Sequence, residues 1–143
     1  MALIKILPDQ VTANWDVISF AIEKSLPPFV QITATRMSNI LTALLTSNLE
    51  CWISVDKEKT IEAVATTQML EDFASGTKTI LIYSTYGFNP ISEVSWSEAF
   101  NTLCQYARNA GCQKISCYTT SEAIIHQANK FGGEIETFIS FNL

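Results

Sequence analysis

Three side chains of this sequence have the chemistry to move protons in a reaction: Glu62, Tyr118 and His126. A carboxylate or an imidazole can accept a proton near neutral pH, and a phenol can donate one. Each residue also has a structural interpretation. Glu62 could be an exposed strand residue beside Lys57 and Lys59, Tyr118 a core aromatic, and His126 a solvent-facing helix residue. The sequence leaves both interpretations open.

The four cysteines, Cys51, Cys104, Cys112 and Cys117, do not have the spacing of a metal site. No two of them form a CxxC pair, and His126 is the only histidine, so we predict no bound metal. Free, buried thiols in a reducing cytosol are the simpler interpretation. This includes Cys117, which has no activating base next to it in the sequence.

Composition limits the classes of partner. The 143 residues carry a net charge of −5, with 48% hydrophobic and 16% charged residues, and we predict one domain over residues 1–143. Only Arg36 and Arg108 are arginines, so a basic face for nucleic acid is not expected. Neither a signal peptide nor a membrane-length apolar run is present, which predicts a soluble cytoplasmic protein without a membrane partner.

Hydrophobic periodicity predicts ten elements in the order β-α-α-β-β-β-α-β-α-β. The predicted strands are residues 2–7, 51–56, 60–70, 79–84, 114–119 and 134–141. The predicted helices are residues 15–25, 34–47, a third one before Gly111 and a fourth one before Gly132. Short turns between the middle strands indicate antiparallel pairing, and the later strand–helix–strand units indicate crossovers. We therefore predict an α/β (α+β) fold with a mixed sheet of about six strands flanked by four helices.

Capping residues set the expected helix boundaries. Asn14 is predicted to cap the first helix, after a turn at Pro8. Ser95 and Glu98 have the spacing of a capping box at the start of the third helix, and Ser121 is predicted to cap the fourth.

The element order and the C-terminal half carry a family resemblance. The relevant segments are TILIYSTYGFNP, WSEAFNTLCQYARNAGCQKISCYT and KFGGEIETFISFNL. The junction at residues 107–115 looks like a helix leading into a fifth strand, and KFGGEI looks like the end of the helix after it. In these features the chain resembles the GCN5-related N-acetyltransferase (GNAT) superfamily, including the short, divergent GNAT-like proteins of tailed bacteriophages.

The resemblance implies a site for acetyl-CoA as a possible cofactor. Its pantetheine arm would lie between the strands at residues 79–84 and 114–119, and its pyrophosphate would lie where the following loop turns into a helix. The contact residues that the resemblance implies are Ile82, Tyr83, Ser84, Gly87, Ser95 and Ser121.

The loop at residues 84–95 departs from the family pattern. It contains one glycine, Gly87, and no basic residue, whereas the family loop uses several glycines to approach phosphate closely. Pro90 lacks an amide donor, and Glu93 brings a negative charge near the expected phosphate position.

The positions at which the family has proton-transfer residues also depart from the family pattern. Ala128 occupies the place where the family often has a tyrosine that protonates the leaving thiolate. Tyr118 and His126 are the candidate replacements as general acid, and Glu62 is the candidate general base.

Two main hypotheses of function follow. The first is a GNAT-fold protein without catalysis, acting as a structural or interaction module with other protein subunits, for example as a bacteriophage virion component present in the host cytoplasm and the virion. The alternative is an acyl-CoA-dependent N-acetyltransferase that uses acetyl-CoA and an amine substrate. A binder of another small molecule in the same cleft is a third hypothesis.

Overall fold

The computed structural model describes residues 2–143, which form five strands and five helices. The strands are β1 (Leu3–Ile6), β2 (Glu50–Val55), β3 (Ile61–Glu71), β4 (Lys78–Gly87) and β5 (Cys112–Cys117). The helices are α1 (Pro8–Ala13), α2 (Trp15–Ser25), α3 (Ala34–Leu45), α4 (Glu93–Asn109) and α5 (Glu122–Lys130).

The strands form one mixed sheet in the order β1-β2-β3-β4-β5. The first three pairings are antiparallel, and β4 pairs with β5 in parallel. The α4 helix connects the two parallel strands, which cannot be joined by a tight turn. The predicted fold class and the mixed sheet are confirmed.

Helices cover both faces of the sheet. On one face, Ile18 and Ile22 of α2 are fully buried in a cluster with Val64 of β3. On the other face, Leu103 of α4 packs with Trp52 and Ala65. Truncation of a buried isoleucine such as Ile18 to alanine costs about 2–5 kcal/mol of unfolding free energy, so these contacts hold the layers together.

The N-terminal helices differ from the prediction at their boundaries. Pro8 does not form a simple turn; it is the first residue of the additional helix α1, where its missing N–H is tolerated. Asn14 precedes α2 as predicted, but its side chain does not cap the helix, because its Nδ2 donates to the carbonyl of Gln10 at 2.9 Å. The α3 helix ends at Leu45, two residues early, and Ser47 has a φ of 62°.

The start of α4 differs from the prediction of a capping box at Ser95 and Glu98. Ser92, not Ser95, is the N-cap: its Oγ accepts a hydrogen bond from the Ser95 N–H at 3.2 Å. Ser92 has the extended backbone of an N-cap residue, so the helix begins at Glu93, one turn earlier than predicted. The predicted ends are confirmed at Gly111 and Gly132, where φ is +79° and +83°.

Residues 134–141 are not a strand in the structure, so the sheet has five strands where about six were predicted. The alternating pattern is real, but this segment makes no ladder with β5. Its odd-numbered apolar residues stay exposed: Ile135 at 77%, Ile139 at 72% and Phe141 at 84%. Alternating apolar and polar residues indicate that a segment can form a half-buried strand. Whether the segment pairs depends on whether a sheet edge in the correct register lies beside it.

Candidate functional site

The two parallel strands separate at their carboxyl ends. Pairing between β4 and β5 stops at Ile82 and Cys117, while β4 continues to Gly87 along β3 alone. The chain after Cys117 leaves the sheet and enters α5. The result is an opening between the strands that exposes one edge of β4.

A β-bulge lies at the point of separation. Thr66 of β3 pairs with Ser84, and the next residue, Thr67, pairs with Ile82, so Tyr83 is an extra residue in β4. Such an insertion bends the strand and increases its twist. The hydroxyls of Thr66 and Ser84 are 2.5 Å apart in a buried position, which holds the register beside the bulge.

The backbone of β4 beyond the bulge faces the opening at alternate residues. The Phe88 N–H donates to the Glu62 carbonyl at 2.9 Å, so Phe88 directs its backbone groups toward β3. Residues of an antiparallel strand alternate in this direction, which leaves Thr85 and Gly87 facing the edge that β5 has left. Their N–H and C=O groups are therefore placed to bind an amide or carbonyl in the opening.

A cleft of about 1030 Å³ extends from this opening between α4 and α5. Its apolar walls include Phe100 and Leu103 of α4 and Ile124 and Ala128 of α5. The apolar side of α5 is half buried, and the helix has no fully buried residue. The reason is that this side of the helix borders the open cleft.

The cleft passes through the sheet from one face to the other. Ala65 lines it on the face that packs against α4, and Val64 lines it on the face that packs against α2. Beyond Val64, the lining continues with Lys24 at the end of α2 and with Leu26 and Pro28 in the following loop. Two ligands could therefore meet in the opening from opposite faces.

The charged residues that line the cleft are basic. They are Lys24, Arg108 and Lys114; the histidine His126 lines the cleft as well. None of the 14 acidic residues, all of which lie within residues 2–143, lines it. In a chain with a net charge of −5, this distribution favours an anionic ligand.

Glu93 is neutralised by a partner that the sequence did not suggest. Its carboxylate forms an ion pair with Lys130 at the end of α5, and this hydrogen bond and charge lower the pKa of Glu93. The aromatic rings of Phe100 and Phe131 stack at a centroid distance of 4.5 Å and also join α4 to α5. The negative charge inferred from Glu93 is therefore offset.

The structure brings six of the predicted site residues to the cleft and leaves three outside it. Those that line it are Ile82, Ser84, Gly87, Tyr118, Ser121 and His126. Those that do not are Glu62, Tyr83 and Ser95. Ser121 acts as the α5 cap, with its Oγ 3.5 Å from the Ile124 N–H, and the Ser95 N–H is taken by Ser92.

Tyr118 lies in an aromatic cluster at the α2 side of the cleft. Its ring is 5.3 Å from Phe29 and 5.7 Å from Phe138, measured between centroids. Phe29 belongs to the loop after α2, and Phe138 belongs to the C-terminal segment. Residues distant in sequence thus surround this phenol, and periodicity within one element could not reveal them.

Cys117 corrects the prediction of a buried thiol, because its side chain is exposed where β5 ends. The surrounding walls still raise its pKa through desolvation, so the thiol is protonated at neutral pH and is a weak nucleophile. Cys51 is buried as predicted, and Cys104 is half buried.

Sequence comparisons with protein-family models and with curated proteins found no match. Solved structures are similar over nearly the full length. A probable acetyltransferase has a TM-score of 0.75 at 11% identity, covering 100% of this chain and 97% of its own. The ribosomal-protein-alanine N-acetyltransferase of Brucella melitensis biovar Abortus 2308 has a TM-score of 0.71 at 7% identity, covering 100% and 99%.

A third similar structure contains a CoA-derived ligand. It is AAC(6')-Iy in complex with the bisubstrate analogue CoA-S-monomethyl-acetylneamine, with a TM-score of 0.70 at 12% identity, covering 99% of this chain and 95% of its own. At these identities the similarity concerns the fold. The chain has the fold of the GNAT acetyltransferases.

Proposed function

We propose that this protein is an acyl-CoA-dependent N-acetyltransferase, the second of the two hypotheses drawn from the sequence. The observation that carries the proposal is the opening of β4 from β5 at the Tyr83 bulge, which leads into a cleft with basic charges. The resemblance to solved acetyltransferases supports it at the level of fold.

The cleft fits acetyl-CoA in three respects. The apolar walls at Phe100 and Ile124 suit a pantetheine chain, and the backbone of Thr85 and Gly87 suits its amides or the thioester carbonyl. The basic lining suits phosphates. In addition, the buried Oγ of Ser54 at the cleft wall has no hydrogen-bond partner within residues 2–143, as expected of a polar ligand or water site.

The phosphate contacts would differ from the family pattern. Pro90 cannot donate a hydrogen bond, and the loop before α4 has no glycine after Gly87. We propose that side-chain cations take over part of this role, since the ion pair with Lys130 offsets the negative charge of Glu93.

In the proposed reaction, a neutral amine attacks the thioester carbonyl. The C–N bond forms, the C–S bond breaks, and the proton lost by the nitrogen ends on the CoA thiol. Backbone N–H groups at Thr85 or Gly87 would stabilise the oxygen as its charge develops. Tyr118 and His126, the two candidate proton donors to the departing sulfur, both line the cleft. Glu62, the candidate general base, does not line it.

The interaction-module hypothesis has one supporting observation. Ile135, Ile139 and Phe141 form an exposed apolar stripe on the C-terminal segment, which could contact other protein subunits, including those of a virion. The presence of the cleft does not require the protein to act as an interaction module.

Isothermal titration with acetyl-CoA and with free CoA tests the proposal. We expect dissociation constants in the micromolar range. Ile124→Asp, which puts a carboxylate into the cleft wall, should weaken binding at least tenfold. Ile125→Asp is the matched control, because the neighbouring Ile125 is equally half buried but does not line the cleft. No detectable binding at millimolar ligand would contradict the proposal.

A further inference from the structure

The cleft opens on both faces of the sheet, so each face can receive one of two ligands. The α4 side offers the long apolar walls that suit the acyl donor, so the acceptor must approach from the α2 side. There the lining consists of Lys24, Leu26 and Pro28, with Tyr86 and Tyr118 across the opening. We call this region the acceptor side.

The residues that line the acceptor side are either positively charged or uncharged. Lys24 has its Nζ 5.5 Å above the ring of Phe20 and makes no ion pair within residues 2–143. No carboxylate in the described part of the chain lines the cleft: Glu62 and Glu136 both lie outside its lining, and Glu136 pairs with Lys114 at 3.4 Å. An alkylammonium ion would meet a like charge here and no carboxylate to accept its proton.

The acceptor side has two aromatic lining residues, Tyr86 and Tyr118, beside the apolar Leu26 and Pro28. Phe29 and Phe138 do not line the cleft, but their rings pack against Tyr118 at 5.3 and 5.7 Å. Ring edges and faces at such distances favour an aromatic partner.

We propose that the acceptor is an amine that is uncharged at neutral pH and carried on an aromatic or apolar body. This inference rests on the proposed acetyltransferase function and names its substrate class. A weakly basic amine arrives with its lone pair free, so the site needs no carboxylate to deprotonate it. After attack, the N–H proton passes to the CoA sulfur or to solvent, which balances the reaction.

Two isomeric probes test the proposal: 4-methylaniline, which is neutral at neutral pH, and benzylamine, which is mostly protonated. Their dissociation constants are measured by NMR titration of the CoA-loaded protein. If only neutral amine binds, benzylamine should bind about a hundredfold more weakly at two pH units below its pKa. The difference should shrink about tenfold per pH unit and vanish above the pKa of benzylamine.

A variant with the opposite charge at Lys24 provides a second test of the proposal. Lys24→Glu should strengthen benzylamine binding to the CoA-loaded protein about fivefold at neutral pH. Lys57→Glu, in the exposed hairpin after β2, makes the same change in net charge and should leave benzylamine binding unchanged. Thermal melts of both variants check that they remain folded.

The outcomes separate this inference from the function on which it rests. Equal or tighter binding of benzylamine at neutral pH overturns the inference, as does a difference that does not change with pH. Binding of CoA without binding of either amine also overturns it. Failure to bind CoA overturns the proposed function and this inference together.

Discussion

Two cysteines, Cys117 at the cleft and Cys51 in the core, show that the reactivity of a side chain depends on its position more than on its type. Cys117 and Cys51 are both free thiols with raised pKa values, in both cases because of desolvation. Cys51 is 2% exposed, and burial raises its pKa to about 12, whereas Cys117 is accessible at the end of β5. The same chemical group is therefore inert in one place and can report on ligand binding in the other.

Alkylation by iodoacetamide, followed by mass spectrometry, should modify Cys117 first and Cys51 last. The reason is access, since the low thiolate fraction slows both reactions. Saturating CoA should slow modification of Cys117 at least fivefold if it fills the cleft, and leave the rate at Cys51 unchanged. An unchanged rate at Cys117 would show that CoA does not cover it.

At the scale of elements, two local features shape the site: the bulge at Tyr83 and the cap at Ser92. The bulge bends β4 away from β5, and the cap determines where α4 begins relative to the opening. Both are small, and neither changes the order of elements. They decide which backbone groups face the cleft.

Ser92→Ala should lower the free energy of unfolding by about 1 kcal/mol, because the Ser95 N–H loses its acceptor. Ser95→Ala is the matched control and should cost less than half as much, because its own hydroxyl caps no backbone N–H. Urea denaturation measures both values. A larger loss for Ser95→Ala would support the capping box that the sequence suggested.

At the scale of the whole molecule, two electrostatic effects oppose each other. The net charge of −5 repels an anionic ligand at long range, while Lys24 and Arg108 attract it within the cleft; the third basic lining residue, Lys114, is paired with Glu136. Salt screens both, and partly enclosed charges are screened less than those on the surface. Local attraction should dominate, because these basic residues line the cleft itself.

Acetyl-CoA affinity should therefore fall severalfold as ionic strength rises from about 0.05 M to about 0.5 M. Isothermal titration at several concentrations of sodium chloride measures the trend. Arg108→Gln should flatten it, while Lys57→Gln, which is remote from the cleft, should not. An affinity that increases with salt would mean that long-range repulsion prevails.

The sequence predicted α2, the three middle strands and the glycine stops at Gly111 and Gly132, because these depend on local periodicity and backbone preference. It missed α1 and the true cap of α4, since several serines near Pro90 could have served. Residues 134–141 had the pattern of a strand but formed none, because pairing requires a neighbouring edge in the correct register.

The sequence alone determined the order of the elements from α2 to α5, and with it the mixed sheet and the two strands that border the cleft. Only the tertiary structure revealed the bulge, the neutralisation of Glu93 by Lys130 and the basic lining of the cleft. Hydrophobic periodicity is a property of neighbours along the chain and can be read locally. The charge of a cleft depends on which distant side chains share it, and folding alone brings Lys24, Arg108 and Lys114 to the same space.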